Sequence, residues 1–172
     1  MRLDPNLHLP QAPPSVAAVV FVNIIFLCYI CENQLNMNMK AEILVTADKL
    51  VSSLMKEFNE VFSYLRLRLY TSEARLYIGV DTLTPYRVDI DKPICQARVK
   101  SGCDGVVSID GSKTIGELEA EFYNVFGLVA QVCYTTADGS NTYTYKEEQD
   151  MMTLEQFNAQ CEADGCIKGE WR

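Results

Sequence analysis

The sequence predicts an α+β protein with mixed sheets, built of two tandem modules that follow an N-terminal segment of different composition. Three observations support this prediction. The chain has 172 residues, of which 48% are apolar and 22% charged, as in one or two small globular domains. Part of the sequence recurs after 64 residues, which is typical of a repeated structural unit. Short β-rich runs also alternate with amphipathic helical patterns after Met39. We place the boundaries at residues 1–38, 39–92 and 93–172.

Residues 1–38 form a proline-rich and apolar segment. Four of the six prolines lie within residues 1–14, and an apolar run broken only by Asn23 then covers residues 16–31. A helix over residues 15–31 would be about 25 Å long, slightly less than the ~30 Å hydrocarbon core of a bilayer. The composition therefore leaves this segment open to several interpretations.

Three interpretations of residues 1–38 stay open. In the first, translation starts at Met37 or Met39, which predicts a cytoplasmic protein. Residues 15–31 would otherwise be a single membrane anchor, which predicts a membrane-anchored protein, or part of a cleaved signal sequence. The membrane is a predicted partner only if residues 15–31 are a real anchor.

The first module is predicted to contain a strand, a helix and a second strand. Residues 41–46 are β-rich and end at a polar turn. The next apolar residues recur at helical spacing, at Leu50, Leu54, Phe58, Val61 and Phe62. Residues 65–70 then alternate leucine with arginine. This alternation predicts a strand that points Leu65, Leu67 and Leu69 inward and Arg66 and Arg68 outward.

The second module repeats this pattern. Aligned without a gap, residues 43–71 and 107–135 share eight identities in 29 positions, including Lys49 with Lys113 and Glu57 with Glu121. The helical stripe recurs at Ile115, Leu118, Phe122, Val125 and Phe126, and Gly127 is suited to the left-handed position after a helix. In the strand at 129–135, Ala130, Val132 and Tyr134 form the more apolar face. They lie one residue out of phase with the first copy.

Further strands and a helix are predicted around this second copy. Residues 96–100 and 106–109 are expected to pair as an antiparallel hairpin. A strand at 142–145 and a helix at 153–163 then follow the turn at 137–141. The predicted order is therefore ββαββα.

This order, with two threonine-led helix starts, resembles the ubiquitin-like β-grasp superfold. Residues 114–118 read Thr-Ile-Gly-Glu-Leu, and residues 153–157 read Thr-Leu-Glu-Gln-Phe after an acidic turn. The resemblance covers residues 93–172 and, in part, 40–92. It implies a β-grasp-like fold for the modules and a binding role. Because the sequence reads Gly-Glu-Trp-Arg at residues 169–172 rather than Gly-Gly, covalent conjugation is not implied.

The net charge of −8 indicates protein partners rather than nucleic acid. Binding to a phosphate backbone needs clustered basic residues, and the chain has no basic run of five or more. The charge is also divided unevenly. Residues 40–104 contain ten basic and nine acidic side chains, whereas residues 105–172 contain four and twelve.

The sequence predicts no enzyme activity and no cofactor. Its one histidine, His8, lies in the proline-rich segment, so the modules lack the commonest general base and metal ligand. No phosphate-binding loop, dinucleotide motif or nucleophile elbow occurs. The less favoured alternative is a small enzyme or metal-binding protein using Asp104, Asp110, Glu119 or the cysteines Cys95, Cys103, Cys161 and Cys166.

The seven cysteines are expected to be free thiols, mostly buried. The pair Cys28 and Cys31 lies inside the apolar run, which lacks the polar surroundings of a redox or zinc pair. In an exported protein, Cys95 could pair with Cys103, and Cys161 with Cys166.

We therefore expect a non-catalytic protein-interaction module that associates with another protein, with itself among the candidates. Two charged faces would carry the interaction: a basic one formed by Arg66, Arg68 and Arg75, and an acidic one formed by Glu147, Glu148 and Asp150. Complementary faces of this kind can join chains head to tail. The strand at 142–145 is a second candidate, as an edge that accepts a partner strand.

Overall fold

The protein was analysed as a computed structural model, which describes residues 42–79, 83–97, 105–144 and 146–169. These residues belong to one compact unit. The proline-rich and apolar segment at residues 1–38 lies outside the described residues, as do Asp104 and Cys103.

The described residues form an α+β structure with five strands and four α-helices. In chain order these are β1 (Ile43–Val45), α1 (Val51–Val61), β2 (Leu65–Tyr70), β3 (Val107–Ile109), α2 (Ile115–Phe126), β4 (Val129–Thr135), β5 (Asn141–Tyr143), α3 (Glu147–Asp150) and α4 (Leu154–Ala163). Three short 3₁₀ turns lie between β2 and β3, at Ser72–Leu76, Thr84–Tyr86 and Ile94–Gln96. The α+β class is therefore confirmed.

The strands form two small antiparallel sheets. β1 pairs with β3 in a two-stranded sheet, and β2, β4 and β5 lie in that order in a three-stranded sheet. The mixed sheets expected from the sequence do not occur within the described part of the chain. β5 lies at the edge of its sheet, as predicted for this stretch.

Both sheets join the two halves of the sequence, which differs from the predicted tandem modules at 39–92 and 93–172. β1 of the first half pairs with β3 of the second, and β2 pairs with β4 along its full length. The predicted hairpin partner of β3 was the stretch at 96–100. Residues Ile94–Gln96 form a 3₁₀ turn, residues 98–100 lie outside the described residues, and β1 is the strand that pairs with β3. The physical reason is that short strands with one buried face pair wherever that face meets the common core.

One core is shared by both halves. Leu54, Phe58 and Leu67 of the first half and Phe122 and Val132 of the second are all fully buried in it. The helical stripes predicted from the sequence face this core, except that Leu50 is exposed before the first turn of α1. A smaller second core lies on the other face of the three-stranded sheet.

The offset of 64 residues seen in the sequence also relates contacts in the structure. Before α1, the ammonium of Lys49 binds the carboxylate of Glu57 at 2.5 Å. Before α2, Lys113 binds Glu121 in the same way. Each lysine also donates to a backbone carbonyl of the strand that precedes it. The two copies thus fasten strand to helix with the same pair of residues.

The one-residue phase difference between β2 and β4 has a structural role. Leu65 lies opposite Tyr134, Leu67 opposite Val132 and Leu69 opposite Ala130. Residues opposite one another on antiparallel strands share a face, so these six side chains all face the core. The inward and outward faces of both strands are therefore as predicted.

The second copy also ends its helix as predicted. Gly127 adopts the left-handed conformation, with φ of 66°, and its N–H donates to the carbonyl of Tyr123 at 3.0 Å. Glycine reaches this conformation without the steric cost that a Cβ atom would impose. Leu128 follows it into the core and is fully buried.

Candidate functional site

The outer face of the three-stranded sheet carries three arginines, Arg66, Arg68 and Arg87, which we call the arginine face. Arg66 and Arg68 alternate with the inward leucines of β2, as the sequence predicts. Because Arg66 lies opposite Cys133 and Arg68 opposite Gln131, these four side chains share the outer face.

Arg87 reaches this face through a segment that is not part of a named strand. Thr71 N–H donates to the carbonyl of Tyr86 at 2.9 Å, and Val88 N–H donates to that of Leu69 at 3.2 Å. These bonds form an antiparallel bridge between Tyr70 and Arg87. The bridge puts Arg87 on the face of Tyr70, which is the outer one. Its guanidinium contacts the hydroxyls of Tyr70 and Tyr143.

The thiol of Cys133, which lies opposite Arg66 on this face, is buried. Burial raises the pKa of this thiol, and the positive charges of Arg66, Arg68 and Arg87 act in the opposite direction. The thiol also donates to the carbonyl oxygen of Arg66 at 3.5 Å. Among the residues that the structure describes, none of the three arginines forms an ion pair. Their charge is therefore not neutralised by a carboxylate there.

Arg66 is held by neutral partners. Its Nη2 donates to Asn141 Oδ1 of β5 at 2.6 Å and to Thr135 Oγ1 of β4. Its buried Nε has no hydrogen-bond partner. These contacts fix the side chain across all three strands, and none of the partners described for it is a carboxylate.

A cavity of about 660 Å³ lies beside the arginine face. Arg68 and Arg87 line it together with the carboxylate-bearing Asp91. Its remaining walls are mostly apolar, contributed by Val51, Met55, Leu69, Val88 and Ile90. Two guanidinium groups beside an apolar wall suit an anionic group attached to an apolar body, since guanidinium binds carboxylates with directed hydrogen bonds.

Arg75, which is predicted to share a basic face with Arg66 and Arg68, does not join the arginine face. It lies in the first 3₁₀ turn after β2, and its guanidinium stacks over the ring of Tyr123 at 4.4 Å from the centroid. The chain leaves the strand at Thr71, so the alternation that relates Arg66 to Arg68 does not extend to Arg75.

The three predicted acidic residues lie on one short helix, α3. Glu147 and Glu148 are exposed, and Asp150 is half-buried. Burial and the nearby charge of Glu147 raise the pKa of Asp150. The backbone carbonyl of Asp150 packs against Gly116 in the first turn of α2, where an added Cβ would approach it to 3.2 Å. The helix is thereby held against α2 with its two glutamates exposed.

A second, smaller cavity of about 270 Å³ is lined in part by the half-buried Glu119 of α2. The carboxyl of Glu119 accepts hydrogen bonds from the backbone N–H of Val132 and from Gln131 Nε2, both at 3.2 Å. Burial raises the pKa of Glu119 to about 8, and the charge of Asp150 acts in the same direction. Arg75 also lines this cavity. Glu119 therefore belongs to the buried network that joins α2 to β4.

Asp110 and the cysteines are the other described candidates for catalysis or metal binding. Asp110 lies in the turn before α2 and accepts a hydrogen bond from the Ser112 N–H at 2.7 Å. The described residues contain no group of three or more metal-ligating side chains. Cys95, Cys133, Cys161 and Cys166 are free thiols. None of the helices in the described ranges has the length and apolar character that crossing a bilayer requires.

Comparisons of the chain with models of protein families, with curated proteins and with solved structures found no match.

Sequence reasoning located two of the three arginines of the arginine face. It missed Arg87 because the segment around it has no strand-length pattern. The only local signal is the alternation of apolar Tyr86 and Val88 about Arg87, which is short enough to occur in any loop. The isolated bridge between Arg87 and Tyr70 places Arg87 on the outer face of the sheet, and the sequence around Arg87 does not show this bridge.

Proposed function

We propose that the chain is a non-catalytic protein-binding module whose arginine face binds an acidic segment. A second copy of the chain, presenting Glu147 and Glu148, is the partner we favour. The observation that carries the proposal is that Arg66, Arg68 and Arg87 lie on one face of the sheet. Within the described residues none of them forms an ion pair, although the net charge of the chain is −8.

Charge complementarity supports a second copy as the partner. Glu147 and Glu148 are exposed on α3, and neither forms an ion pair with a described residue. The arginines lie on the sheet and the glutamates on a helix, so the two faces are different surfaces of one chain. Contacts between different surfaces join copies head to tail, and this produces rings or open chains of copies.

The magnitude expected for such an interface is modest. Single exposed ion pairs contribute about 0–1 kcal/mol, whereas a guanidinium that binds a carboxylate with two hydrogen bonds in a partly apolar cavity contributes more. The wall formed by Met55 and Val88 supplies apolar area next to the charges of Arg68 and Arg87. We therefore expect weak, salt-sensitive association rather than a permanent dimer.

Other predictions accompany this proposal. The resemblance of residues 93–172 to the ubiquitin-like superfold is consistent with a binding role, and it stays a prediction. If residues 93–172 are compared with a ubiquitin-like fold, β1 would occupy the place of the leading strand, which was expected at 96–100. A cytoplasmic location with a start at Met37 or Met39, and anchoring through residues 15–31, stay predictions too.

The experiment is size-exclusion chromatography with light scattering on the full-length chain, at low salt and at about 0.5 M salt, where screening shortens electrostatic reach to a few ångströms. We expect association that increases with protein concentration and is lost at high salt. The double variant Arg68→Glu/Arg87→Glu should remain monomeric. Arg75→Glu, which changes an arginine outside the arginine face, should associate as the wild type does.

A mixing experiment tests the head-to-tail arrangement. The double variant Glu147→Gln/Glu148→Gln keeps its arginine face, and Arg68→Glu/Arg87→Glu keeps its acidic helix. Each should be a monomer alone, and their mixture should form a one-to-one complex of twice the 19.4 kDa chain mass. Circular dichroism and a thermal melt must first show that both variants fold.

Two results would overturn parts of the proposal. A wild-type chain that stays monomeric at every concentration and salt excludes self-association. An acidic peptide labelled with a fluorophore then tests binding to another protein. If its polarisation signal is the same for the wild type and for Arg68→Glu/Arg87→Glu, the arginine face is not a binding surface.

A further inference from the structure

The end of α4 brings two cysteines together. Cys166 N–H donates to the carbonyl of Cys161 at 2.9 Å, and Gly165 N–H donates to that of Glu162 at 3.1 Å. Gly165 has a φ of +73°. This is the Schellman pattern, in which the residue after the left-handed glycine commonly packs its side chain against the residue five positions earlier. The side chains that meet at this place are those of Cys161 and Cys166.

The two thiols differ in accessibility. Cys161 is buried in the main core, whereas Cys166 is half-buried and packs against that core from the end of the helix. Burial and the interaction with the Cys166 thiol raise the pKa of Cys161 to about 12. Cys166 is therefore the thiol that a reagent in solution reaches first.

We propose that Cys161 and Cys166 form a reversible intramolecular disulfide, so that this turn is a redox-sensitive modification site. A disulfide needs Cα atoms roughly 4.4–6.8 Å apart, and a direct backbone hydrogen bond between the same two residues keeps them close. The bond therefore forms within the turn as it stands. Neither the helix nor the following chain has to move far.

A low-molecular-weight disulfide such as oxidised glutathione is the oxidant. The thiolate of Cys166 attacks one sulfur of this disulfide, which forms a mixed disulfide and releases one glutathione thiolate. Cys161 then loses its proton and attacks the Cys166 sulfur, and the second glutathione thiolate leaves. Two protein thiols are oxidised, and one glutathione disulfide is reduced to two thiols. The high pKa of Cys161 makes the second step the slower one.

The position of the pair gives the disulfide a structural consequence. Directly after Cys166, Ile167 N–H donates to the carbonyl of Thr135 at the end of β4, and Gly169 N–H donates to that of Ser63 after α1. The disulfide would thus tie α4 to the segment that crosses both halves of the fold. Its formation should raise the thermal midpoint and protect residues 166–169 against proteolysis.

The experiment is a redox titration of the full-length chain with mixtures of oxidised and reduced glutathione, followed by acid quenching, alkylation and trypsin digestion. Both cysteines fall in one tryptic peptide, residues 147–168. The expected product is this peptide with a mass loss of about 2 Da and no alkylation. Cys95 and Cys133 in the same sample should remain reduced.

Two controls separate the geometry of the turn from closeness in sequence. In concentrated urea the unfolded chain does not hold the two thiols together. Half oxidation of the pair should therefore need a ratio of oxidised to reduced glutathione that is at least about tenfold higher than for the folded chain. In Cys161→Ser, Cys166 should stop at the mixed disulfide with glutathione. Cys166→Ser, which changes the more exposed residue, should give neither product at Cys161.

Either of two results would overturn the proposal. One is full alkylation of both cysteines after equilibration with oxidised glutathione alone, in a chain shown to be folded. The other is the same half-oxidation point for the folded and urea-unfolded chains, which would mean that the turn does not favour formation of the disulfide.

Discussion

Glu119 occupies the position in α2 that Met55 occupies in α1, 64 residues earlier. Both side chains point from their helix toward the three-stranded sheet, where Met55 is buried as an apolar residue and lines the larger cavity. Glu119 instead accepts hydrogen bonds from Gln131 and Val132 of β4. These two residues precede the part of β4 that pairs with β5. The second copy therefore has a titratable group where the first has a thioether.

We expect Glu119 to make stability depend on pH. Its pKa is about 8 in the folded chain, against 4.5 for an ordinary glutamate. Below pH 4.5 the carboxyl is protonated in both the folded and the unfolded chain, and the fold accommodates this neutral form. Between pH 4.5 and 8 only the unfolded chain loses the proton, so the free energy of unfolding falls by up to about 1.4 kcal/mol per pH unit. Above pH 8 this contribution is constant.

The measurement is urea denaturation between pH 5 and pH 9 for the wild type and for Glu119→Gln. The glutamine keeps an acceptor for the Val132 N–H and has no proton to lose, so its stability should change less with pH over this range. Glu148→Gln, an exposed position, serves as the control and should follow the wild type. Equal pH dependence in Glu119→Gln and the wild type would contradict the assignment.

The Lys113–Glu121 pair should contribute more to stability than an exposed pair. Both of its side chains are partly covered, and the lysine also donates to the Ser108 carbonyl. Lys56 and Glu60 form an exposed pair at i and i+4 of α1, with 59% and 62% of their side chains accessible. Double-mutant cycles to alanine should give a coupling above about 0.5 kcal/mol for the first pair and about 0.3–0.5 kcal/mol or less for the second.

Gly127→Ala should cost about 1 kcal/mol of unfolding free energy, because an alanine has to adopt the left-handed conformation that ends α2. The matched control is Ser63→Ala at the corresponding position after α1. No described residue other than glycine has a positive φ, so this serine requires no left-handed conformation. Its replacement should change stability by less than about 0.5 kcal/mol, both values being measured by urea denaturation.

The two halves should unfold together. Phe58 and Phe122 are fully buried in the shared core, one in each half, and each contacts the phenylalanine four residues later in the chain. Phe58→Ala and Phe122→Ala should each lower the free energy of unfolding by about 3–5 kcal/mol. Amide hydrogen exchange should then show protection falling in both halves for either variant.

Independent modules would behave differently. In that case Phe58→Ala would reduce protection only in residues 42–79 and Phe122→Ala only in residues 105–144. Separate transitions by circular dichroism in either variant would have the same meaning.

Local patterns predicted much of the fold. The helical stripes, the alternation of Leu65, Leu67 and Leu69, and the left-handed Gly127 follow from spacing and from the stereochemistry of single residues. Each of these depends on neighbours within about one element of the chain. The apolar face of β4 depends on local alternation too, so it can be predicted without knowing that β4 pairs with β2.

Strand pairing could not be predicted in this way. β1 and β3 are three residues long, and their partners are fixed by a core that forms only when both halves are present. Local order suggested that residues 106–109 would pair with the preceding stretch, because consecutive strands usually pair. The position of Arg87 depends on the same long-range bridging, and so does the separation of Arg75 from Arg66 and Arg68.

The exchange of strands between the two halves has a consequence for how the protein is made. A nascent chain that ends at residue 92 contains, in its described part, β1 and β2 but neither of the strands they pair with. At ordinary synthesis rates of about 5–20 residues per second, β4 leaves the ribosome roughly 3–13 s after β2. During that interval the leucine face of β2 has no sheet to join. The first half is therefore the part of the chain most exposed to aggregation and to chaperone binding during translation.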